Sequence, residues 1–212
     1  MIIMKSYKTV KQQSEAEFIE KKSRFISFVY PILKEVEAIS YIEAARKKFY
    51  DSTHVVYAYK LRENNTARFS DDGEPQGTAG VPVLEVINKS DLIDALVIVV
   101  RYFGGTMLGA GGLIRAYSKS AHLGIEEAKI VTMAECVEFI IDCPYHMFGK
   151  IEYVLINENA NKISVEYNEN VQLNYFIEEE NFDKLKKEIT EASNGSIEVS
   201  EVKREFYELR RG

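Results

Sequence analysis

The sequence predicts an α+β protein of two domains, and three observations support this prediction. The chain has 212 residues, of which 46% are hydrophobic and 28% charged, a composition typical of folded domains. Strand-like and helix-like patterns are mixed along its whole length. The pattern changes near residues 131–135, where a helix-like stretch ends and a new strand begins. We therefore expect one domain at 1–134 and a second at 135–212.

The second domain has the more regular pattern. Its elements are a strand, a helix, two strands, a helix and a strand: Glu135–Cys143, Pro144–Asn157, Lys162–Tyr167, Val171–Ile177, a helix with Phe182, Leu185 and Ile189 inward, and Ser196–Val202. Hairpin residues lie at 168–170, and Asn194-Gly195 ends the second helix. The order βαββαβ is the ferredoxin-like arrangement.

The first domain also mixes strands and helices. Four segments have strand character: Phe18–Val29, His54–Lys60, Val81–Ile87 and Leu96–Phe103. Three segments have helical character: Glu35–Tyr50, a short helix capped near Ser90 or Asp91, and about Leu113–Ala128. The helix Glu35–Tyr50 is expected to bury five side chains: Val36, Ile39, Ile42, Ala45 and Phe49. Loops are expected at Asp71–Gly80 and Gly104–Gly112.

The net charge of −6 is unevenly distributed along the chain. Residues 1–135 carry +1 and residues 136–212 carry −7. A polyanion is therefore expected to meet the first domain and to be repelled by the second.

Composition also excludes several kinds of site. The two cysteines form no Cys-x-x-Cys pair and the three histidines are scattered, so no metal or other cofactor is expected. Residues 1–5 lack the apolar stretch of a signal peptide, and the longest apolar run is too short to span a bilayer. We expect a cytoplasmic protein with no membrane partner; the sequence does not define its oligomeric state.

Glycine is concentrated in one part of the chain. Eight of the twelve glycines lie between Gly73 and Gly112, in two clusters at 71–80 and 104–112. Glycine is the residue that loses most conformational freedom on folding. This density indicates positive φ angles, close packing, or a backbone surface that contacts a ligand.

The second glycine cluster lies between a buried strand and a helix. Its backbone N–H groups and the helix N-terminus are expected to bind an anion, with the following glycines in contact: Gly104, Gly105, Gly109, Gly111 and Gly112. Arg101 and Arg115 flank the loop and are candidates for charge-assisted phosphate contacts. In the alternative interpretation, the glycines only permit close packing and the arginines pair with acids such as Asp72 or Glu85.

The dinucleotide and P-loop motifs are not satisfied. Ile114 stands where the dinucleotide fingerprint requires glycine, and no Gly-Lys-Ser/Thr follows the cluster. The acidic residues of the first glycine cluster are weak candidates for catalysis or Mg²⁺ binding: Asp71, Asp72 and Glu74. A solvated turn is the alternative for them. His54 begins a strand and is a further weak catalytic candidate.

A second basic group precedes the glycine clusters. Lys21, Lys22 and Arg24 lie next to Phe25, which suggests phosphate contacts together with base stacking. The alternative is a solvated strand edge. The binding interpretation requires that the fold bring this group beside Arg68, as well as beside the two arginines of the second cluster.

Several blocks of the sequence resemble the YigZ/IMPACT family. They are Glu20–Phe25, Asp71–Pro75, Gly80–Leu84, Arg101–Gly105, Leu108-Gly109 and Gly111–Tyr117. The resemblance covers both domains. It implies a first domain like domain two of ribosomal protein S-five and a ferredoxin-like second domain similar to those of elongation factor G. It also implies a role in translation, because eukaryotic relatives regulate translation initiation under amino-acid stress. We expect this protein to lack the N-terminal partner-binding domain of those relatives, so their mechanism is not carried over.

These observations lead to three functional hypotheses. The first is a non-catalytic protein that binds RNA, the ribosome or another anionic partner and regulates translation. The second is an enzyme that acts on a phosphorylated small molecule. The third is a protein-binding adaptor in the stress control of translation, with the acidic second domain as its docking face.

Overall fold

The computed structural model describes residues 5–209, which divide into two compact units. Tyr7–Thr132 form the first unit, and the residues before Tyr7 join those from Met133 onward in the second. Residues 1–4, on which the expectation about a signal peptide mainly rests, and residues 210–212 lie outside the described part. Two strands include residues of both units: the short β1 (Ser6–Val10) and the long β7 (Ile130–Cys143).

The first unit is a five-stranded antiparallel sheet between two helical layers. Its other elements are β2 (Ser14–Glu20), β3 (Ser23–Pro31), α1 (Glu35–Lys48), β4 (His54–Lys60), β5 (Ala67–Ser70), α2 (Gly80–Lys89), β6 (Ala95–Tyr102) and α3 (Ala110–Ala128). The strand order is β2-β3-β6-β4-β5. Helix α1 covers one face of the sheet, and α2 and α3 cover the other. The central strand β6 is buried on both faces, as its continuous apolar sequence predicts.

Four predictions for the first unit are wrong. Phe18–Val29 is not one strand, because Lys21 and Lys22 both adopt positive φ and reverse the chain between β2 and β3. Val81–Ile87 is not a strand but lies within α2, which is apolar because it packs against both the sheet and α3. No helix begins near Ser90 or Asp91. Helix α3 begins at Ala110, three residues earlier than expected.

Helix α1 is present where the pattern predicts it, but it buries a different face. Ala38, Ile42 and Ala45 face the core, whereas Val36 and Ile39 are exposed. The small Ala38 therefore lets the helix lie close to the sheet. The two β-branched residues are left on the solvent side.

The second unit has the βαββαβ order that the sequence predicts. Its elements after β7 are α4 (Tyr145–Asn157), β8 (Asn161–Tyr167), β9 (Val171–Glu178), α5 (Glu179–Ala192) and β10 (Val199–Glu208). Strand β7 is central and pairs with β9 and β10, and β8 lies beyond β9. The inward residues predicted for α5 are all buried. Strand β8 changes register between Lys162 and Ser164, and the side chain of Ile163 at this irregularity is exposed.

Candidate functional site

Residues 103–109, which we call the glycine loop, connect β6 to α3 and pack against the turn between β2 and β3. Gly104 lies so close to this turn that a Cβ atom would stand 2.0 Å from the carbonyl carbon of Lys22. The Gly104 N–H donates to the Ser23 hydroxyl over 3.1 Å. Position 104 therefore requires glycine for close packing. This contact places the turn formed by Lys21 and Lys22, which we call the lysine turn, next to the glycine loop.

The N-terminus of α3 begins directly after this loop and lacks a capping side chain. Its N-cap residue, Gly109, has φ 69° and offers no side chain, and the first turn contains no acid. The first intrahelical bond is donated by the Leu113 N–H to the Gly109 carbonyl, over 2.9 Å. The N–H groups of residues 110–112 thus precede the helical hydrogen-bond ladder and point toward the helix start.

Arg115 adds a positive charge to this helix end. A Cβ on Gly111 would lie only 3.6 Å from Nη1 of Arg115, so the guanidinium folds back over the first turn. A cation near a helix N-terminus is electrostatically unfavourable, because that end already carries partial positive charge. No ion pair or side-chain hydrogen bond of Arg115 is found among residues 5–209.

A cavity of about 240 Å³ opens beside this turn of α3. Its lining residues come from β2, the lysine turn, the glycine loop and α3: Phe18, Glu20, Lys21, Leu108, Gly112, Arg115, Ala116 and Lys119. Three of these residues are cationic and one is acidic. Lys119 was not among the residues singled out from the sequence, although it follows Arg115 by four positions and so shares its helix face. The cavity, which we call the α3 pocket, is therefore predominantly cationic.

Three of the predicted cations lie elsewhere in the first unit. Arg24 forms a bidentate ion pair with Glu17, in which Nε and Nη2 donate to the two carboxylate oxygens over 2.8 and 2.7 Å. The pair lies on the sheet face that α1 covers. Arg68 lies on β5, at the edge of the sheet opposite β2. Arg101 is only 5% exposed. The fold thus brings Lys21, the glycine loop and Arg115 together but leaves these three arginines outside the α3 pocket.

Asp71 and Asp72, the first two acids of the first glycine cluster, accept hydrogen bonds from backbone N–H groups. The Asp71 carboxylate accepts the N–H groups of Gly77, Ala79 and Gly80, at 2.8, 3.1 and 2.8 Å. It thereby closes the loop and caps the start of α2. Asp72 accepts the Val55 N–H at 2.7 Å and a guanidinium hydrogen bond from Arg46 at 3.1 Å.

Glu74 is the centre of a buried polar network. Its Oε1 accepts hydrogen bonds from Arg101 Nη1 at 2.5 Å and from the Tyr117 hydroxyl at 2.8 Å. Burial raises the pKa of Tyr117, which keeps this phenol protonated as a donor. Nε of Arg101 is also buried and has no partner within the described residues. The network ties the first glycine cluster to β6 and α3.

His54 lies at the edge of the same network. Its Nδ1 is 2.7 Å from the carbonyl oxygen of Asp72, which can only accept, so Nδ1 carries a proton. Its Nε2 faces Glu74 Oε2 at 3.8 Å. The weak catalytic candidates are therefore all engaged in contacts within the fold.

The described residues contain neither a cluster of metal ligands nor an exposed thiol. Within 5–209, no three His, Cys, Asp or Glu side chains are grouped so that they could hold a metal ion. Cys136 and Cys143 are both buried, and burial raises the pKa of the Cys136 thiol to about 12. Across the same residues, no helix is long and apolar enough to cross a membrane.

Comparisons with known proteins give matches to both units. Residues 21–125 match the Impact N-terminal domain, and residues 141–196 match a domain of unknown function (DUF1949). The IMPACT family member YvyE of Bacillus subtilis is 38% identical over 205 residues, which cover 94% of this chain and 92% of YvyE. The IMPACT family member YigZ of Escherichia coli is 29% identical over 84% of this chain and 89% of its own length. A crystal structure described only as that of a hypothetical protein is 27% identical, with a TM-score of 0.60, over 95% of this chain and 99% of the other.

Proposed function

Because the chain belongs to the IMPACT family, we propose that it acts without catalysis by binding RNA, free or within ribosomal particles, through the α3 pocket. The role in translation that the family resemblance implies supports this choice of ligand. The observation that carries the proposal is the meeting of Lys21, Arg115 and Lys119 around the α3 pocket, which lies along the first three turns of a helix without a capping side chain.

Electrostatics in the α3 pocket favour an anion. Three cations line it, Gly112 belongs to the uncapped first turn of α3, and Glu20 is the single acid among the lining residues. Without an anion, these positive charges repel one another. A phosphate group accepts hydrogen bonds from backbone N–H groups and from guanidinium, and so relieves this repulsion.

The distribution of charge also supports a polyanionic ligand. The positive excess lies in the first part of the chain, where the α3 pocket is found, and the negative excess lies beyond residue 135. A long polyanion such as RNA adds further phosphate contacts around the pocket, for example at Lys22. These contacts give RNA an affinity that a single phosphate does not reach.

The enzymatic alternative receives no support from the acids assigned to it. Asp71 and Asp72 hold backbone N–H groups, and Glu74 is buried against Arg101 and Tyr117. A general base must reach its substrate proton within hydrogen-bonding distance. Carboxylates that are fully engaged inside the fold are poorly placed for that role.

The proposal is tested by the binding of a fluorescein-labelled RNA hairpin with a single-stranded tail, measured by anisotropy. We expect Arg115→Ala and Lys119→Ala each to weaken binding about tenfold at low salt. We also expect each substitution to lower the slope of log Kd against log salt by about 1. The matched control is Lys150→Ala, which removes an exposed helix lysine from the acidic second unit.

Two results would contradict the proposal. One is the absence of RNA binding at low salt, both to the hairpin and to purified ribosomal subunits. The other is wild-type affinity in both substituted proteins. Thermal unfolding of each variant establishes that it is folded, and we expect little change because both side chains are exposed.

A further inference from the structure

One residue of the α3 pocket is not explained by phosphate binding. Glu20 lines the cavity together with Lys21, Arg115 and Lys119, and it forms no ion pair or side-chain hydrogen bond within residues 5–209. A carboxylate close to a bound phosphate repels it. A ligand consisting only of phosphate would therefore leave Glu20 unfavourably placed, whereas a ligand that also carries N–H donors would satisfy it.

The walls of the α3 pocket are suited to a flat, apolar group. Phe18 and Leu108 supply hydrophobic surface, and Gly112 and Ala116 leave the helix side nearly free of side chains. The Phe18 ring stacks on the buried ring of Phe25, with centroids 5.2 Å apart and planes 15° apart, and the Lys119 ammonium lies over it, 4.8 Å from the ring centroid. A base that stacks on Phe18 therefore takes the place of this ammonium, whose side chain is exposed. Aromatic side chains fixed in this way form stacking surfaces for the bases of single-stranded nucleic acids.

The size of the cavity limits what can enter. Its volume of about 240 Å³ is below the roughly 300 Å³ at which pockets for drug-sized ligands begin. One planar base fits such a space, whereas a base pair does not. The bases of a duplex are also stacked inside the helix, so only an unpaired nucleotide presents its base to a pocket.

We propose that the α3 pocket receives one unpaired guanine nucleotide of the bound RNA. The base lies against Phe18 and Leu108, its two adjacent N–H donors reach the Glu20 carboxylate, and Arg115 and Lys119 contact its phosphate. Guanine fits best because N1–H and the exocyclic amine together match the two oxygens of a carboxylate. Uracil offers a single imino N–H. This inference rests on the proposed RNA-binding function.

The decisive comparison is between two labelled nine-nucleotide RNAs, oligo(U) and oligo(U) with one central guanine. We expect the wild-type protein to bind the guanine-containing strand about tenfold more tightly, and to lose this preference when the strand is paired with its complement. Glu20→Gln removes one of the two acceptor oxygens. We expect it to abolish most of the preference for the guanine-containing strand.

The matched control is Glu15→Gln, on the same strand. Glu15 pairs in register with Phe28, whose side chain faces the α1 layer, so its carboxylate lies on the other side of the sheet. This substitution removes the same charge from β2 but is expected to keep the guanine preference. Phe18→Leu supplies a second variant, which retains hydrophobic volume but removes the aromatic face; we expect weaker binding of the guanine-containing strand.

The outcomes separate this inference from the function on which it rests. Equal affinity for the two strands, or an unchanged guanine preference in Glu20→Gln, overturns the guanine pocket. If Arg115→Ala still weakens RNA binding in that case, the proposed RNA-binding function is retained and only the guanine pocket is rejected. If RNA is not bound at all, both are overturned.

Discussion

At the scale of single residues, the buried pair of Glu74 and Arg101 has the largest expected effect on stability. Both side chains are at most 6% exposed. We expect Glu74→Gln to lower the free energy of unfolding by about 3–5 kcal/mol, because it leaves the Arg101 charge buried without a counter-ion. Urea unfolding followed by far-ultraviolet circular dichroism measures this loss.

The control for this substitution is Glu17→Gln, which breaks the pair with Arg24. That pair is largely exposed, with side-chain exposures of 38% and 49%. A surface pair of this kind is screened by solvent and contributes far less to stability than a buried pair. If Glu74→Gln and Glu17→Gln lower the free energy of unfolding equally, the buried pair of Glu74 and Arg101 is not more important for stability than a surface pair.

Gly104 is the second residue with a strong expected effect. We expect Gly104→Ala to destabilise the protein by about 3 kcal/mol or more, because the added methyl group collides with backbone rather than with a movable side chain. RNA binding is expected to weaken as well, since the displaced turn carries Lys21. Thermal unfolding and the anisotropy assay measure the two effects.

Gly149→Ala provides the matched control for Gly104→Ala. Gly149 lies inside α4, and a Cβ there would have no atom within 4 Å. Alanine is the better helix former, so a gain of about 0.5–1 kcal/mol is expected. A gain or no change in Gly104→Ala would mean that the tight contact with the turn is not what requires glycine.

At the scale of elements, the turn between β2 and β3 combines an unfavourable conformation with a functional position. Lys21 and Lys22 have φ values of 46° and 68°, in a two-residue turn where Asn-Gly is preferred. A left-handed conformation costs an ordinary residue about 1–2 kcal/mol. The structure thus holds lysine where asparagine and glycine would be more stable.

We expect the double substitution Lys21→Asn, Lys22→Gly to stabilise the protein and to weaken RNA binding. The relief of left-handed strain outweighs the added flexibility of the unfolded chain by about 0.5–1 kcal/mol. Binding falls because the α3 pocket loses a cation. The variant Lys21→Arg, Lys22→Gly keeps the charge of the pocket and should bind RNA more tightly than the Asn-Gly variant; equal loss of affinity in both variants would assign the effect to the changed turn or to Lys22 instead.

Strong periodicity and local turn residues explain which elements could be predicted. The second unit alternates regularly along β9, and α5 carries its apolar residues at helical spacing, so βαββαβ follows from local pattern. Segment Val81–Ile87 gives no such signal. All of its residues except the exposed Glu85 are apolar, because α2 packs against both the sheet and α3, and a short buried helix and a buried strand then have nearly the same sequence appearance.

At the scale of the whole molecule, the site could be predicted only in part. The glycine loop and Arg115 are neighbours in sequence, so their meeting at the start of α3 follows from the chain itself. The separation of Arg24 and Arg68 from the loop depends on which sheet face or edge each occupies. The burial of Arg101 depends on Glu74, 27 residues away. Long-range pairing of this kind leaves no local pattern in the sequence.

Carboxylates with altered proton affinity occur in both units, so acid is expected to destabilise the whole molecule. Hydrogen bonds from Arg24 and from the Leu33 N–H lower the pKa of Glu17 and of Glu37 in the first unit. In the second unit, hydrogen bonds from Tyr207 and Asn174 lower the pKa of Glu138, which is only 8% exposed. A carboxylate whose folded pKa is lowered contributes stability above its unfolded pKa, near 4.5, and loses it as the pH falls through the folded value.

We therefore expect stability to be constant from pH 7 to about 5 and to fall below about 4.5, the unfolded pKa of glutamate. Urea unfolding midpoints at a series of pH values measure this fall. Glu138→Gln cannot be protonated and should lose less stability between pH 5 and pH 3 than wild type, although it begins lower at pH 7 because Lys203 loses one of its two carboxylate partners. The exposed Glu198→Gln serves as the control and should follow the wild-type curve. An identical fall in Glu138→Gln and wild type would place the acid sensitivity outside the Glu138 network.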